Sequence, residues 1–242
     1  MRLRRVYVEA PLETGTRLRL EGSAASHVTR VLRLRVGAAL TLFNGAGGEY
    51  EASIDKAHGG EVTVAVGAHH PIERESPLAL TLVQGVSRGE RMDLVVQKAT
   101  ELGVARLVPV ITERSVVQLD AHQADRKRLH WRAIVVAACE QCGRNRLPEL
   151  LGPLGLREFL RGEPARGTRV MLSPHAARGL DELPRDAAVT VLIGPEGGLS
   201  EAEQEAAVQA GFAALRLGPR VLRTETAALT ALALLQRQWG DL

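Results

Sequence analysis

From residue 77 onwards the chain alternates short apolar runs with helical patterns, and this alternation limits the possible folds most strongly. Strands that alternate with helices predict a parallel sheet covered by helices on both faces. We therefore expect residues 77–242 to form one α/β domain. The predicted strands are 78–85, 105–112, 168–174, 188–194 and 212–218, and the predicted helices are 90–103, 125–142, 200–210 and 224–239.

Residues 1–72 have a different pattern, in which short, partly alternating apolar runs are separated by glycine-rich turns. This pattern favours a small β-barrel-like domain that carries one basic helix. The polar, proline-bounded segment PIERESP at 71–77 is predicted to link the two domains. Within the first domain the predicted strands are 38–45, 50–57 and 60–70, and the predicted helix is 25–35.

Three predicted strand ends in the α/β domain are rich in glycine or proline, namely 171–175, 193–198 and 217–226. In a parallel sheet, ligands bind outside the carboxyl ends of the strands. Loops with few side chains offer backbone N–H and C=O groups, and glycine allows a ligand to approach that backbone closely. We expect the three loops to hold a flat, amide-like ligand such as adenine.

A phosphate-binding loop is the main competing interpretation of the corner IGPEGG at 193–198. Neither GxxxxGK[ST] nor GxGxxG is present in the sequence. The carboxylate of Glu196 would repel a polyphosphate but suits a ligand that carries positive charge. A purely structural strand-to-helix corner stays open as the second alternative.

Basic residues are unevenly distributed, although the net charge is only +3. Residues 1–35 contain eight arginines and three glutamates, and residues 126–146 contain six basic residues and one acidic residue. Such clusters indicate a polyanionic partner, with a solvated surface as the alternative. The candidate phosphate contacts are Arg2, Arg4, Arg5, Arg17, Arg19, Arg30, Arg33, Arg35, Arg88, Arg91, Arg144 and Arg146.

Other features exclude several classes of protein. No apolar run approaches the roughly 20 residues that span a bilayer, and the N-terminus lacks an apolar signal core, so we expect a cytoplasmic protein. Cys139 and Cys142 are too few for a disulfide framework. They also lack the two further ligands of a zinc site, and we expect no metal.

Four segments occur together in order: ESPLALTLVQGVSRGERMDLVVQKATELGV, AACEQCGRNRLPEL, LIGPEGGLSEAE and LGPRVLRTETAALTAL. With these segments the chain resembles, over essentially its whole length, the RsmE family of bacterial ribosomal RNA uridine N3-methyltransferases. That family belongs to the SPOUT class. The resemblance implies a PUA-like RNA-binding barrel at 1–72 and a SPOUT methyltransferase domain at 77–242 with a C-terminal trefoil knot.

The resemblance also implies a ligand, a partner and an assembly. The ligand is the methyl donor S-adenosylmethionine, the partner is a uridine of 16S rRNA in the small ribosomal subunit, and the protein forms a homodimer. The implied donor-binding residues are Leu172, Ser173, Gly194, Pro195, Glu196, Gly197, Gly198, Leu217, Gly218, Val221, Leu222, Arg223 and Thr226.

Methylation of uridine N3 requires removal of the proton that this nitrogen carries at neutral pH. The site therefore needs a proton acceptor, a cation that stabilises the developing anion, or both. RVLRTETA at 220–227 offers Arg223 as the cation and Glu225 as the acceptor, and Thr224 as a cap for the last helix. The alternative is that Arg223 and Glu225 only pair with each other and organise the loop.

Two other functions stay open at this point. One is a SPOUT methyltransferase that uses the same donor on a different RNA site. The other is a non-catalytic RNA-binding protein that stabilises ribosomal RNA during assembly. Donor binding distinguishes the non-catalytic protein from both enzymes.

Overall fold

The computed structural model describes residues 4–58, 61–116, 119–162 and 167–242 and divides into two compact units. The small unit runs to Glu75 and also contains Val136–Leu147. The large unit contains Ser76–Val135 and Pro148–Leu242. The division after Glu75 falls within the predicted linker at 71–77. The grouping of 136–147 with the small unit was not anticipated from the sequence.

The small unit is built on a five-stranded mixed sheet with the strand order β1-β3-β4-β5-β2. Strand β1 runs parallel to β3, and the other pairs are antiparallel. Alternate residues of the strands, such as Ile54 and Val64, are buried in one apolar core. The elements are β1 (Arg5–Tyr7), β2 (Arg17–Leu20), α1 (Gly22–Ser26), a π-helix (His27–Val31), β3 (Ala39–Phe43), β4 (Glu49–His58) and β5 (Glu61–His70).

The basic helix predicted at 25–35 is shorter than expected and ends at Val31. Arg33 follows in the left-handed region, with φ of 52°. The amide of Leu34 donates to the carbonyl of Val28 at 3.0 Å, and this hydrogen bond closes the end of the helix. The predicted continuation to residue 35 is therefore wrong, because the backbone reverses at Arg33.

The large unit contains the predicted parallel sheet, with the strand order β12-β10-β11-β6-β7-β8 and β9 paired to β7. The strand pairs of this sheet among the described residues are all parallel. The strands are β6 (Ala79–Gly85), β7 (Arg106–Ile111), β8 (Glu149–Leu150), β9 (Leu154–Gly155), β10 (Thr168–Leu172), β11 (Ala188–Ile193) and β12 (Ala213–Leu215).

The helices of the large unit match the predicted positions, with one short addition at α4. Helices α2 and α6 pack against each other, and α6 also contacts β6 and β11. A helix-capping box at Ser200 and Glu203 starts α5, as the sequence predicts. Among the described residues, no helix is both long and apolar enough to cross a membrane. The helices are α2 (Glu90–Glu101), α3 (Ala121–Cys142, counted with the small unit from Val136), α4 (Leu156–Arg161), α5 (Glu201–Gln209) and α6 (Thr224–Trp239).

A buried polar cluster attaches residues 136–147 to the sheet of the small unit. Arg5 is 3% exposed, and its guanidinium donates to Glu49 at 2.5 Å and to the side-chain oxygen of Asn145 at 2.5 Å. The amide nitrogen of the fully buried Asn145 donates to the carbonyl of Ile72 and to Glu49. Arg144, which is 4% exposed, forms two hydrogen bonds with Glu75.

The burial of Arg5 and Arg144 corrects the sequence-based assignment of both residues as phosphate contacts. Their guanidinium groups are directed at internal carboxylates and lie out of reach of a bound polyanion. Burial alone would raise the pKa of Glu49, but its hydrogen bonds with Arg5, Arg74 and Asn145 outweigh this effect, and the net pKa is lowered. The folded small unit therefore contains an ionised Glu49.

We predict that Glu49→Gln lowers the free energy of unfolding by about 3 kcal/mol, because it leaves the buried Arg5 without its counter-charge. Urea denaturation at neutral pH measures this change. Glu51→Gln, two residues further along the same strand and exposed to solvent, is the matched control and should stay within about 0.5 kcal/mol of the wild type.

The same pair of variants gives a pH test. A carboxyl with a lowered folded-state pKa stabilises the fold above its unfolded pKa, and this stability is lost as pH falls through the folded pKa. Acidification should therefore destabilise the wild type and Glu51→Gln more steeply than Glu49→Gln. Equal acid sensitivity of all three proteins would contradict this role of Glu49.

Candidate active site at the carboxyl edge of the parallel sheet

One cavity of about 620 Å³ lies in the large unit at the carboxyl ends of β10, β11 and β12. This volume is in the range of small-molecule sites. The three loops predicted to converge do line it together. The lining residues fall at 172–175, 193–199, 215, 217–218, 220–225 and 227, with Arg91, Arg114 and Gln204.

The glycine corner after β11 is held by direct contact between two backbones. A Cβ atom at Gly85, the last residue of β6, would lie 2.6 Å from Pro195 Cδ and 2.8 Å from the carbonyl carbon of Gly194. Gly198 has φ of 69°, and its amide closes a turn by donating to the carbonyl of Pro195 at 2.9 Å. The corner is therefore a fixed turn seated on the end of β6.

Glu196, the acidic residue of this corner, is engaged by the protein itself. Its Oε1 accepts a hydrogen bond from the amide of Arg88 at 3.1 Å and one from the guanidinium of Arg91 at 2.9 Å. Burial would raise the pKa of Glu196, but backbone hydrogen bonds and Arg91 outweigh this effect, and the pKa is lowered. Glu196 is therefore an ionised group that ties the corner to the start of α2.

The start of α6 forms another wall of the cavity, and Arg223, Thr224 and Glu225 all line it. Thr224 was predicted to cap α6, which is wrong, because the N-cap is Arg223 and Thr224 is the first helical residue. The Thr224 hydroxyl instead donates to the carbonyl of Gly194 at 2.7 Å. Glu225 Oε2 is buried and has no hydrogen-bond partner among the described residues.

The expected donor-binding residues lie on the cavity wall, with one exception. Thr226 is exposed in the first turn of α6 and does not contribute to the lining. The residues that do are Leu172, Ser173, Gly194, Pro195, Glu196, Gly197, Gly198, Leu217, Gly218, Val221, Leu222 and Arg223.

Several residues that line the cavity were not predicted from the sequence, most notably Arg114. It follows β7 and donates to the carbonyl of Gly197 at 3.2 Å, and its Cβ would be 3.1 Å from a Cβ at that glycine. Its loop is tied to the start of α5 by a hydrogen bond from the amide of Glu113 to the buried Glu203. The position of Arg114 directly after a strand was the available signal. His175 and Arg220 also line the cavity.

The remaining candidate phosphate contacts are spread over both units. Arg2 lies outside the described residues. In the small unit Arg17 and Arg19 are exposed and pair with Asp55 and Glu61, and Arg146 is exposed near Glu73. In the large unit Arg91 pairs with Glu196. This ion pair explains why a cation is found at the start of a helix, and no bound polyanion is needed to explain it. The other candidates that lie among the described residues are exposed, namely Arg4, Arg30, Arg33, Arg35 and Arg88.

Cys139 is buried and Cys142 is partly exposed, and the two do not form a disulfide with each other. Burial raises the pKa of Cys139 to about 12, so this group stays a thiol. Within the described ranges, no group of three or more His, Cys, Asp or Glu side chains converges as metal ligands would.

The family model for an RNA methyltransferase domain matches residues 74–236, and the model for an RNA methyltransferase PUA domain matches residues 20–66. Ribosomal RNA small subunit methyltransferase E of Buchnera aphidicola is 34% identical over the whole chain and 98% of its own length. The chain belongs to the ribosomal RNA small subunit methyltransferase E family.

Solved structures of similar proteins share this fold. A methyltransferase from Legionella pneumophila in complex with S-adenosylmethionine has a TM-score of 0.97 at 44% identity, with full coverage of both chains. Ribosomal RNA small subunit methyltransferase E from Neisseria gonorrhoeae, also bound to S-adenosylmethionine, has a TM-score of 0.92 at 38% identity over 99% of both chains. The predicted family and fold class are therefore confirmed.

We predict that Gly85→Ala lowers the free energy of unfolding by roughly 1–3 kcal/mol, because its methyl group overlaps the backbone of Gly194 and Pro195. Chemical denaturation measures the change. Gly155→Ala is the control, since that glycine has φ of −64° and its nearest neighbour would be 3.9 Å away. Equal stability of both variants would mean that the corner moves away from β6 without cost.

Proposed function

We propose that this protein transfers a methyl group from S-adenosylmethionine to N3 of one uridine in the 16S rRNA of the small ribosomal subunit. The observation that carries the proposal is the cavity at the carboxyl edge of the sheet. Its walls are the GPEGG and LGPRVLRTET loops, and family members of the same fold bind S-adenosylmethionine.

The residues of the cavity suit this donor. Backbone groups of the loops at 194–198 and 217–218 can pair with the edge of an adenine ring. Apolar side chains such as Leu172, Leu199 and Leu222 can cover its faces. When bound, the donor supplies an activated methyl group on a sulfonium cation. Arg91 pairs with Glu196 and partly neutralises its charge, so the corner is less negative than the sequence suggests.

Arg223 and Glu225 have the chemical properties that uridine methylation requires. Removal of the N3 proton leaves negative charge on N3, O2 and O4 of the base. The Arg223 guanidinium can stabilise that charge through paired N–H donors. The buried, unpartnered Oε2 of Glu225 can accept a hydrogen bond or the proton itself.

The exposed arginines supply the RNA contacts in this proposal. Arg30, Arg33 and Arg35 lie around the end of the π-helix in the small unit, within the segment that matches the PUA domain model. Contacts from such residues to phosphates give affinity with little choice of sequence. Aromatic residues make up only 3% of the chain, so stacking on many rings is not available.

Three further properties belong to the same proposal. They are a homodimeric assembly, a trefoil knot in the C-terminal part of the large unit and a cytoplasmic location, where the ribosomal substrate is found. Light scattering at micromolar concentration tests the assembly against the chain mass of 26.1 kDa.

We predict that the purified protein methylates small ribosomal subunits from a strain that lacks the corresponding gene, and that mass analysis places N3-methyluridine at one position of 16S rRNA. Subunits from the parent strain are the control and should accept almost no methyl groups. Methylation at another RNA position would support a different SPOUT activity. RNA binding without donor binding would support a non-catalytic assembly factor.

We predict that Arg223→Ala slows single-turnover methylation by roughly 10²–10³-fold at neutral pH, because one stabiliser of the developing anion is lost. Raising the pH should partly restore the rate, since uridine then ionises without help. Arg237→Ala, exposed near the other end of α6, is the matched control. A variant at position 223 that loses only donor affinity would mean that Arg223 organises the loop.

A further inference from the structure

A buried chain of hydrogen bonds joins three separate pieces of the large unit beneath the cavity. Gln84, near the end of β6, is 1% exposed, and its amide nitrogen donates to the Thr224 hydroxyl at 2.9 Å. Thr224, at the start of α6, is 7% exposed and donates to the carbonyl of Gly194 at 2.7 Å. These two hydrogen bonds therefore link β6, α6 and the glycine corner.

The number of available hydrogens gives this chain one direction. One N–H of the Gln84 amide is used by the carbonyl of Gly85 at 3.0 Å, and the other by Thr224. The only hydrogen of the Thr224 hydroxyl then goes to Gly194. Rotating the Gln84 amide by 180° would place its oxygen against the Gly85 carbonyl, so that two acceptors would face each other. The side chains of Gln84 and Thr224 are therefore held in one arrangement.

Thr224 connects the two groups that the proposed chemistry requires. It lies between Arg223 and Glu225 in the chain, and its hydroxyl bonds to the first residue of the corner Gly194–Gly198. No side chain caps α6, whose N-cap is Arg223. The Thr224–Gly194 hydrogen bond is thus a direct tie between the first turn of this helix and the corner.

We propose that Gln84 and Thr224 are positioning residues for methyl transfer. They fix the first turn of α6, and with it Arg223 and Glu225, at a set distance from the loop that holds the donor. This inference rests on the proposed function. Gln84 lies outside the cavity lining and acts only through Thr224. A displacement of about 1 Å in a reacting geometry can lower a rate by about 10²-fold.

Thr224→Val tests the proposal, because valine keeps the volume of the side chain and removes its hydroxyl. We expect the single-turnover rate, at saturating RNA and donor, to fall about 10–100-fold. The donor dissociation constant and the KM for RNA should change less than about threefold, since the backbone walls of the cavity remain. Thr224→Ser, which restores the hydroxyl, should recover most of the rate.

Gln84→Met tests the other member of the chain. It removes both N–H donors at nearly constant volume, and we expect a rate loss similar to that of Thr224→Val. The double variant should be little slower than either single variant, because the two side chains act as one unit. Losses that multiply in the double variant would contradict a shared role.

Thr100→Val separates positioning from stability. Thr100 is fully buried in α2 and donates to the carbonyl of Val96, so its substitution also removes a buried hydroxyl. Both valine variants should lower the melting temperature, and only Thr224→Val should lower the rate. A wild-type rate for Thr224→Val, or an equal rate loss in Thr100→Val, overturns the proposal.

Hydrogen exchange in the first turn of α6 gives a readout that does not depend on turnover. The amide of Ala227 donates to the carbonyl of Arg223 at 2.8 Å and should exchange faster in Thr224→Val but not in Thr224→Ser. If Ala227 exchanges faster in Thr224→Val but the wild-type protein methylates no uridine, the proposed function is contradicted and the structural role of Thr224 is not. Unchanged exchange in Thr224→Val would contradict the positioning role.

Discussion

The last residue of β6 touches the backbone of the glycine corner with no side chain between them, and the walls of the cavity depend on this contact. Only glycine at position 85 leaves room for Gly194 and Pro195. The contact brings the end of β11 over the end of β6, where the Gln84 amide reaches Thr224 and the Thr224 hydroxyl reaches Gly194. Loop, strand and helix are thus joined by main-chain contact and two buried hydrogen bonds.

The charged residues of the cavity fall into two sets. Glu196 is ionised and satisfied by Arg91 and by the amide of Arg88, so its charge serves the loop. Arg223 and Glu225 stand at the start of α6 with groups still available for a ligand. In the proposed reaction, the first set stabilises the conformation of the donor-binding loop, and the second set stabilises the negative charge that develops on uridine.

The small unit depends on a different interaction, the buried cluster of Arg5, Glu49 and Asn145. Buried charges are costly unless they are paired and hydrogen-bonded. Here the two terminal nitrogens of Arg5 donate to Glu49 and Asn145, while its Nε has no partner among the described residues. The cluster explains why the CGRNR segment, far along the chain, is grouped with the first 75 residues. It also removes Arg5 from the residues that can contact RNA, as the pairing with Glu75 does for Arg144.

Periodicity and glycine placement were enough to predict the parallel sheet, the three converging loops and most of the cavity wall. These features depend on neighbouring residues and on the rule that strand ends meet at one edge of a sheet. The four motifs in order were enough to predict the family. The sequence also placed the capping box of Ser200 and Glu203 correctly, because both partners lie within one turn of helix.

Contacts between residues far apart in the chain were decided only by the tertiary structure. A count of arginines does not distinguish Arg5, buried against Asn145, from the exposed Arg30, because burial depends on which segment packs nearby. Arg114 lines the cavity because β7 lies beside β6 in the sheet. The Thr224 hydroxyl donates to the Gly194 carbonyl instead of capping its helix, because the glycine corner lies within reach of it. Local pattern determines the elements, but partners 30 to 140 residues away determine what each polar side chain does.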